Sequence, residues 1–292
     1  QQQISYDVLK REMEISLEGL KFHDNYQPMQ QFWGMPLTMG QLGSGSGNQP
    51  FKTVKDYENF LARIDAFYSW CDSSIVYMRK GIASNEVMPK ILMERVLPQM
   101  QSMVVSDPKQ SVFYGPIKAL PESFSADEKA RLTASYEKAI IEKLNPSYKK
   151  LFDFIDKEYL SACRESAGIS AIPNGKERYA YLIKQWTTTN MGPDEVFELG
   201  MSEVKRIRSE MDKIRLETGF KGDLKDFFTF INTDKKFFPF QTPEQVLQAY
   251  RDVEARMQDS LSKLFGNKPK SKFEVRQTEK FREASASAEY NN

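Results

Sequence analysis

A regular apolar spacing in residues 192–214 constrains this chain more than any other feature of its sequence. Apolar or small residues recur there at alternating steps of three and four: Phe197, Gly200, Val204, Ile207, Met211 and Ile214. This spacing places side chains on one face of an α-helix. Proline needs no hydrogen bond at the first helical position, and Asp194 places negative charge at the positive end of the helix dipole. The pattern predicts a helix from Pro193 that packs on one face.

Similar spacing predicts helices along most of the chain, the first over residues 4–20. Thr53 with Asp56 three residues later is a capping-box variant, and it opens a long helix that we expect to end at Gly81 and to pack antiparallel in a helical body. Thr242 starts the last long helix, and Ser125 with Glu128 caps another. The apolar positions of the two long helices are Val54, Tyr57, Leu61, Ile64, Tyr68, Cys71, Ile75 and Met78, then Val246, Tyr250, Val253, Met257, Leu261 and Leu264.

Two segments depart from the helical pattern. Residues 21–52 are expected to form an irregular insertion, because they contain the glycine-serine tract 40–47. This tract lacks a G-K-[ST] ending and a preceding strand, so it indicates a flexible or ligand-approaching loop and not a phosphate-binding loop. Residues 273–276 alternate in the manner of a β-strand, and one short strand is unstable alone. The predicted fold class is mainly α with a short strand near the C-terminus.

Composition excludes several classes of protein. The net charge of +1 gives no electrostatic reason for binding nucleic acid or an anionic membrane. No apolar run approaches the roughly 20 residues that span a bilayer, so no transmembrane segment is predicted. No signal peptide is visible, but the chain opens at Gln1 without an initiator methionine, which is compatible with a removed segment.

Few residues suggest chemistry. Cys71 and Cys163 form no C-x-x-C pair. Cys71 falls on an apolar helix stripe, which favours a buried small side chain, although a disulfide between the two stays open. His23 is either a ligand or acid–base group or a structural residue, and the lack of a nearby metal-ligand cluster favours the second. The hydroxyls of residues 187–189 are interpreted as a connector that satisfies backbone groups, with ligand contact as the alternative.

The order of several motifs resembles a known family. Its central signature is matched by Tyr-x-Tyr-Leu at 179–182, Trp-Thr-Thr-Thr at 186–189 and Gly-Pro-x-Glu-Val-x-x-Leu-Gly-x-x-Glu-Val-x-Arg-Ile-x-x-Glu-Met at 192–211. Residues 49–63, 79–81 and 89–99 are similar to its N-terminal helices, and residues 273–276 and 281–286 resemble the stretch before its catalytic half. The chain thus resembles, over nearly its whole length, the bacterial family catalogued as domain of unknown function 885.

The resemblance implies a gluzincin-like, two-lobed, zinc peptidase-like architecture, similar to Taq-type carboxypeptidases and more distantly to angiotensin-converting enzyme. In such proteins an H-E-x-x-H helix supplies two zinc ligands, and its glutamate acts as general base. This chain contains one histidine, His23, so it cannot supply that motif. Residues 1–292 are therefore interpreted as the helical N-terminal part of a longer peptidase-like domain. Zinc is expected only in the intact protein, and the expected partners are its C-terminal catalytic half and a peptide substrate.

The site prediction is correspondingly sparse: no catalytic residue and no metal ligand in this chain. Arg276 and Tyr290 are candidates for lining the substrate cleft, because they flank the expected catalytic half; structural roles are the alternative. We predict a cleft wall of a zinc-dependent hydrolase that is inactive alone. A non-catalytic helical binding or scaffold protein of the cell envelope is the alternative function. The resemblance also implies a bacterial periplasmic or outer-surface location, as a processed lipoprotein.

Overall fold

A computed structural model describes residues 2–267, 270, 273–278 and 283. Within these residues the secondary structure is helical, with two isolated β-bridges, Met29 with Gly34 and Pro89 with Arg164, and no strand. The α-helices are α1 (Gln2–Gly19), α2 (Met35–Gly43), α3 (Val54–Ser84), α4 (Lys90–Ser102), α5 (Gly115–Lys118), α6 (Ala126–Ala139), α7 (Asn145–Phe154), α8 (Leu160–Ala162), α9 (Gly175–Thr187), α10 (Pro193–Glu217), α11 (Leu224–Thr233) and α12 (Pro243–Leu264). Short 3-10 helices span Asp24–Tyr26, Pro108–Gln110, Val112–Tyr114, Ile169–Ala171 and Lys235–Phe237. The predicted mainly α fold is confirmed.

The helix starts follow the capping signals in the sequence. Thr53 caps α3, Ser125 caps α6 and Thr242 caps α12, each by accepting a hydrogen bond from the backbone N–H three residues later. At α10 the cap residue has no side chain, and the Glu195 carboxylate instead accepts a hydrogen bond from the Gly192 N–H at 2.6 Å. The predicted start of α10 at Pro193 is confirmed.

Two local predictions were wrong. α3 does not end at Gly81 but continues to Ser84, where Asn85 takes a left-handed conformation with φ 58°. The insertion 21–52 is not irregular throughout, because α2 forms within it. The side chains of Leu37 and Met39 are buried, and the Pro36 carbonyl accepts a hydrogen bond from the Tyr148 hydroxyl. Tertiary packing therefore orders a segment whose glycines predicted a loop.

The chain divides into two units after Asn190. The N-terminal unit, residues 2–190, has a core built mainly on α3, α4, α6 and α7. Its largest fully buried side chains are Tyr57, Tyr136, Tyr148, Tyr159, Phe60, Phe113, Met29, Met39, Ile64, Met78, Met93 and Met100. The four tyrosines each use the hydroxyl in a hydrogen bond to backbone, which offsets the cost of burying it. Five positions of the predicted stripe on α3 are buried: Tyr57, Ile64, Cys71, Ile75 and Met78. Tyr68 of the stripe is exposed, and the stripe missed the buried Phe60 and Phe67.

A ladder of ion pairs runs along the outer side of α3. Four of its charged residues, seven positions apart, meet four on the helical stretch 126–162: Glu58 with Arg131, Asp65 with Lys143, Asp72 with Lys150 and Arg79 with Glu158. Both series rise in number together, so the two stretches run in the same direction and not antiparallel as predicted. From Asp72 to Arg79, α3 advances by seven residues, whereas the partner stretch advances by eight from Lys150 to Glu158. The π-turn Ile155–Tyr159 accommodates the additional residue. These pairs are exposed, so each contributes little to stability.

The second unit, Met191–Thr278, contains α10, α11 and α12. Phe220 stacks on Phe230 at 5.2 Å between ring centroids, and Phe237 meets Phe230 edge-on at 5.5 Å. Arg215 donates hydrogen bonds to the carbonyls of Phe220 and Gly222, which fixes the turn between α10 and α11. No side chain on α10 or α11 is buried, nor any on the described part of α12. The prediction that α10 packs on one face was therefore wrong for this chain.

The predicted strand over residues 273–276 is also wrong. The backbone of residues 273–278 is irregular, and no strand lies beside it among the described residues. The Val275 carbonyl accepts a long hydrogen bond of 3.4 Å from Arg251 on α12. Alternating side chains alone do not make a strand, because its backbone groups need a neighbouring strand to pair with.

Candidate functional site

One cavity lies at the glycine-serine tract of the N-terminal unit. Its volume is 640 Å³, and it is lined by Ser44, Gly45, Ser46, Gly47, Asn48, Gln49, Pro50, Phe51, Lys52, Tyr57, Gly115, Pro116 and Ala119. Volumes of this size are common for small-molecule sites. The lining includes the hydroxyls of Ser44 and Ser46, the amides of Asn48 and Gln49 and the cation of Lys52 beside apolar groups. The arrangement suits hydrogen bonding to a small polar molecule and offers no acid–base pair.

The tract itself is held in place by local contacts. Gly45 has φ +82°, a conformation that L side chains rarely adopt, and Ser44 Oγ donates to the Gln41 carbonyl at 2.9 Å. The Ser46 N–H donates to Ser44 Oγ at 3.1 Å. On the floor of the cavity the Tyr57 hydroxyl donates to the Pro116 carbonyl at 3.1 Å, and burial raises the pKa of Tyr57. The tract therefore forms an ordered cavity wall, which its composition alone did not indicate.

A second depression of 480 Å³ lies between α3 and α7. Two ion pairs of the ladder line it, Asp72 with Lys150 and Arg79 with Glu158. Arg79 also lies over the Phe154 ring at 5.3 Å from the centroid. The Glu158 carboxylate accepts two hydrogen bonds from the Arg79 guanidinium, which lowers the pKa of Glu158. Because the charged groups here already satisfy one another, this depression offers a ligand few free polar groups.

The histidine and the cysteines do not form a metal centre. His23 Nδ1 lies 3.0 Å from Glu86 Oε1, and the His23 ring stacks on Tyr26 at 4.6 Å between centroids. Burial raises the pKa of the Cys71 thiol to about 12 and that of the Cys163 thiol to about 12, and both cysteines are free. Within the described ranges no group of three or more histidine, cysteine, aspartate or glutamate side chains could hold a metal ion. The described residues thus do not fit a zinc site of three or four ligands.

Of the two predicted cleft residues, only Arg276 is among the described residues. Arg276 lies exposed in the irregular segment of the second unit and makes no ion pair with another described residue. Tyr290 lies outside the described residues.

The threonines at positions 187–189 behave as a connector: Thr187 Oγ1 donates to the Ile183 carbonyl at 2.8 Å, and the Thr189 N–H donates to Thr187 Oγ1 at 3.2 Å. Sequence reasoning did not single out Lys52, whose only signal was its position beside the glycine-serine tract.

These features define a mainly α protein with a polar cavity and without a metal cluster among its described residues. The chain belongs to the family of bacterial proteins of unknown function DUF885, whose model matches residues 1–292. No helix in the described part of the chain is long and apolar enough to cross a membrane.

One solved structure shows the same fold at low identity. It is the crystal structure of the putative lipoprotein from Colwellia psychrerythraea, with a TM-score of 0.78 and 20% identity. The match covers 88% of this chain and 45% of that chain, so this chain spans less than half of its length. No curated protein matches.

Proposed function

We propose that this chain is the helical N-terminal part of a zinc-dependent, peptidase-like hydrolase, in which it forms a wall of the substrate cleft and supplies no metal ligand. The observation that carries the proposal is the fold match, which extends over most of this chain but over only 45% of a longer chain. The described residues hold no metal-ligand cluster, so the zinc ligands of such an enzyme would come from other polypeptide. Arg276 is proposed to face the peptide substrate.

Metal analysis and an activity assay test this proposal. Dialysed protein consisting of residues 1–292 should hold no stoichiometric zinc and should not cleave peptides. The same residues within the longer polypeptide should hold one zinc and show chelator-sensitive peptidase activity. His23→Ala is the control, because a residue outside the metal site should leave zinc content unchanged. One tightly held zinc in residues 1–292 would contradict the proposal.

The cavity at the glycine-serine tract favours a second candidate, a non-catalytic ligand-binding or scaffold protein of the cell envelope. Its 640 Å³ are lined in part by hydroxyl and amide groups and by Lys52, which suit a polar ligand. In that case dipeptides added to the chain should raise its melting temperature, and Lys52→Met should reduce the shift for an acidic dipeptide. Chelator-sensitive peptidase activity of the longer polypeptide would rule against this candidate.

The proposed location is the bacterial periplasm or outer surface, with the intact protein anchored as a processed lipoprotein. The similarity in fold to the protein described as a putative lipoprotein supports it. Fractionation of the native source tests it: the intact protein should sediment with membranes and be released by detergent. Recovery in the cytoplasmic fraction would contradict it.

A further inference from the structure

The first helix of the N-terminal unit, α1, carries an exposed apolar stripe. Its five side chains are between 53% and 78% exposed: Tyr6, Leu9, Met13, Leu17 and Leu20. At about 100° per residue these positions fall within about 80° of arc, so they form one line along the helix. Leu20 follows the last residue of α1 and stays in line, because its N–H donates to the Leu17 carbonyl at 3.3 Å. A contiguous apolar surface of this kind usually marks an interface.

α9 packs on the opposite side of α1 and leaves the stripe exposed. Arg11 donates a hydrogen bond to the Lys184 carbonyl at 2.9 Å, and Glu18 pairs with the Lys184 ammonium at 2.6 Å. The Ile15 carbonyl accepts a hydrogen bond from the Tyr181 hydroxyl at 3.2 Å, and the Ile15 side chain is buried. These contacts fix the rotation of α1 about its own axis. The stripe therefore points away from α9.

The spacing of the stripe is symmetric about Met13. Tyr6 and Leu20 lie seven residues before and after Met13, and Leu9 and Leu17 lie four residues before and after it. A two-fold axis at Met13 therefore sets the stripe against an antiparallel copy of itself. Tyr6 then meets Leu20 of the second copy, Leu9 meets Leu17, and Met13 meets Met13. An isologous contact requires a self-complementary surface of this kind.

The area of the stripe suits a dimer contact. Five side chains of this size that are more than half exposed present on the order of 600 Å² per copy, against roughly 800 Å² per partner in a standard interface. The charged side chain nearest to the stripe is Lys10. Across the two-fold axis the two copies of Lys10 lie six residues, or about 9 Å, apart along the helix axis, so they do not oppose each other directly.

The charges of α1 suit an anionic membrane poorly. The helix contains four acidic and two basic residues. Both basic residues already have partners, because Lys10 lies 3.9 Å from Glu14 and Arg11 binds the Lys184 carbonyl. A helix that lies on an anionic lipid surface presents cations on its polar face.

We propose that this chain forms a homodimer through the stripe of α1, with the two α1 helices antiparallel about a two-fold axis at Met13. Burial of the five side chains of each copy drives the contact. The contact needs no metal and no catalysis, so it is independent of the proposed function.

Analytical ultracentrifugation of residues 1–292 over a range of concentrations should show a reversible equilibrium between monomer and dimer. Leu9→Glu and Leu17→Glu should each raise the dimer dissociation constant by at least about 30-fold, as expected for central interface positions. Val8→Glu is the matched control, because Val8 is 56% and Leu9 is 59% exposed on the same helix but they face different directions. It should change the constant by less than about threefold. Circular dichroism should show the same helix content in all three variants.

Cysteine cross-linking tests the register of the two helices. Met13→Cys should oxidise to a disulfide-linked dimer, because its two copies meet at the two-fold axis. Leu9→Cys should not link to itself, because its two copies lie eight residues, or about 12 Å, apart along the helix axis. A mixture of Leu9→Cys and Leu17→Cys should link. The unsubstituted chain is the control for the free thiols of Cys71 and Cys163.

Several results would overturn the proposal. A chain that stays monomeric at all concentrations would do so, as would a dimer that Val8→Glu weakens as much as Leu9→Glu. A dimer that Val204→Glu dissociates and Leu9→Glu leaves intact would assign self-association to α10 instead. Self-linking of Leu9→Cys would indicate parallel helices. Binding of a monomer to phosphatidylcholine vesicles that Leu9→Glu abolishes would show that a lipid surface covers the stripe.

Discussion

α3 in the N-terminal unit and α10 in the second unit share the same spacing of apolar residues, but the apolar face is largely buried in α3 and exposed in α10. Both are long amphipathic helices, of 31 and 25 residues, with apolar side chains at steps of three and four. α3 buries nine residues against its neighbours, whereas α10 buries none. The comparison shows that an apolar stripe specifies which face of a helix can be buried, and that a partner of sufficient size decides whether it is buried.

Burial should make the two units differ in stability. Apolar area removed from water is the main favourable contribution to folding, at roughly 25 cal/mol per Å². An isolated amphipathic helix without that contribution is only marginally stable in water. The helices of the second unit therefore depend on local hydrogen bonds, caps and the phenylalanine contacts around α11.

The largest expected difference is in hydrogen exchange. Backbone amides in the middle of α3 and α7 should exchange at least about a hundredfold more slowly than those in the middle of α10 and α12, because core helices open only with global unfolding. Mass spectrometry of the exchanging chain measures this. If α10 and α12 were protected as strongly as α3 and α7 at both low and high protein concentration, the comparison would fail. Protection of α10 that appears only at high concentration would indicate self-association.

A matched pair of isoleucines tests the same difference by mutation. Ile64 on α3 is 1% exposed and Ile207 on α10 is 42% exposed. Ile64→Ala should lower the free energy of unfolding by about 2–5 kcal/mol, because it leaves a cavity in the core. Ile207→Ala should change it by less than about 0.5 kcal/mol, because the side chain is in water and alanine favours a helix. Urea unfolding followed by circular dichroism measures both, and equal losses would contradict the assignment of the core.

Alkaline pH should destabilise the N-terminal unit. Burial raises the pKa of Cys71 to about 12 and the pKa of Tyr148 well above its usual value. Above about pH 8.5 the unfolded state loses the thiol proton that the folded state keeps, so stability falls as pH rises. For Cys71 the loss should reach about 2 kcal/mol at pH 10.

Urea titrations at pH 8 and pH 10 measure this loss. Cys71→Ala is the control, because it removes the thiol contribution and should reduce the difference between the two pH values. The part of the tyrosinate absorbance that comes from buried tyrosines should appear only together with unfolding at higher pH, because the Tyr148 hydroxyl, for example, is buried and bonded to the Pro36 carbonyl. Full tyrosine ionisation while the chain stays folded would show that the hydroxyl is accessible.

Two helical glycines should respond in opposite directions to the same change. A methyl group at Gly43 would overlap the rings of Phe60, at 2.6 Å, and Phe113. Gly43→Ala should therefore cost about 1–3 kcal/mol through overpacking. Gly200→Ala meets open space and should increase the local stability of α10 by about 0.5–1 kcal/mol, because alanine is the better helix former. A loss of α10 helicity in Gly200→Ala would mean that the surface of α10 around Gly200 is covered in solution.

Much of the fold was predictable because its signals are local. The caps at Thr53, Ser125 and Thr242 and the start at Pro193 need only a few neighbouring residues, and all four are in place. The strand over residues 273–276 failed for the opposite reason, since pairing needs a second strand from elsewhere. Of the site, the sequence identified the glycine-serine tract but not its order, because its local hydrogen bonds act together with packing of Gly45 against the distant residues Gly115 and Pro116.

The sequence by itself determined that the chain is helical, where four of its helices begin, which face of each long helix is apolar, and that His23 alone cannot build a histidine metal motif. These are consequences of periodicity, capping and counting. Only the tertiary structure decided that α3 is buried and α10 exposed, that α2 forms in a glycine-rich insertion, and that Tyr148 closes a bond to Pro36 across 112 positions. Those outcomes depend on which surfaces meet, and residues far apart in the chain decide that through the apolar area they bury together.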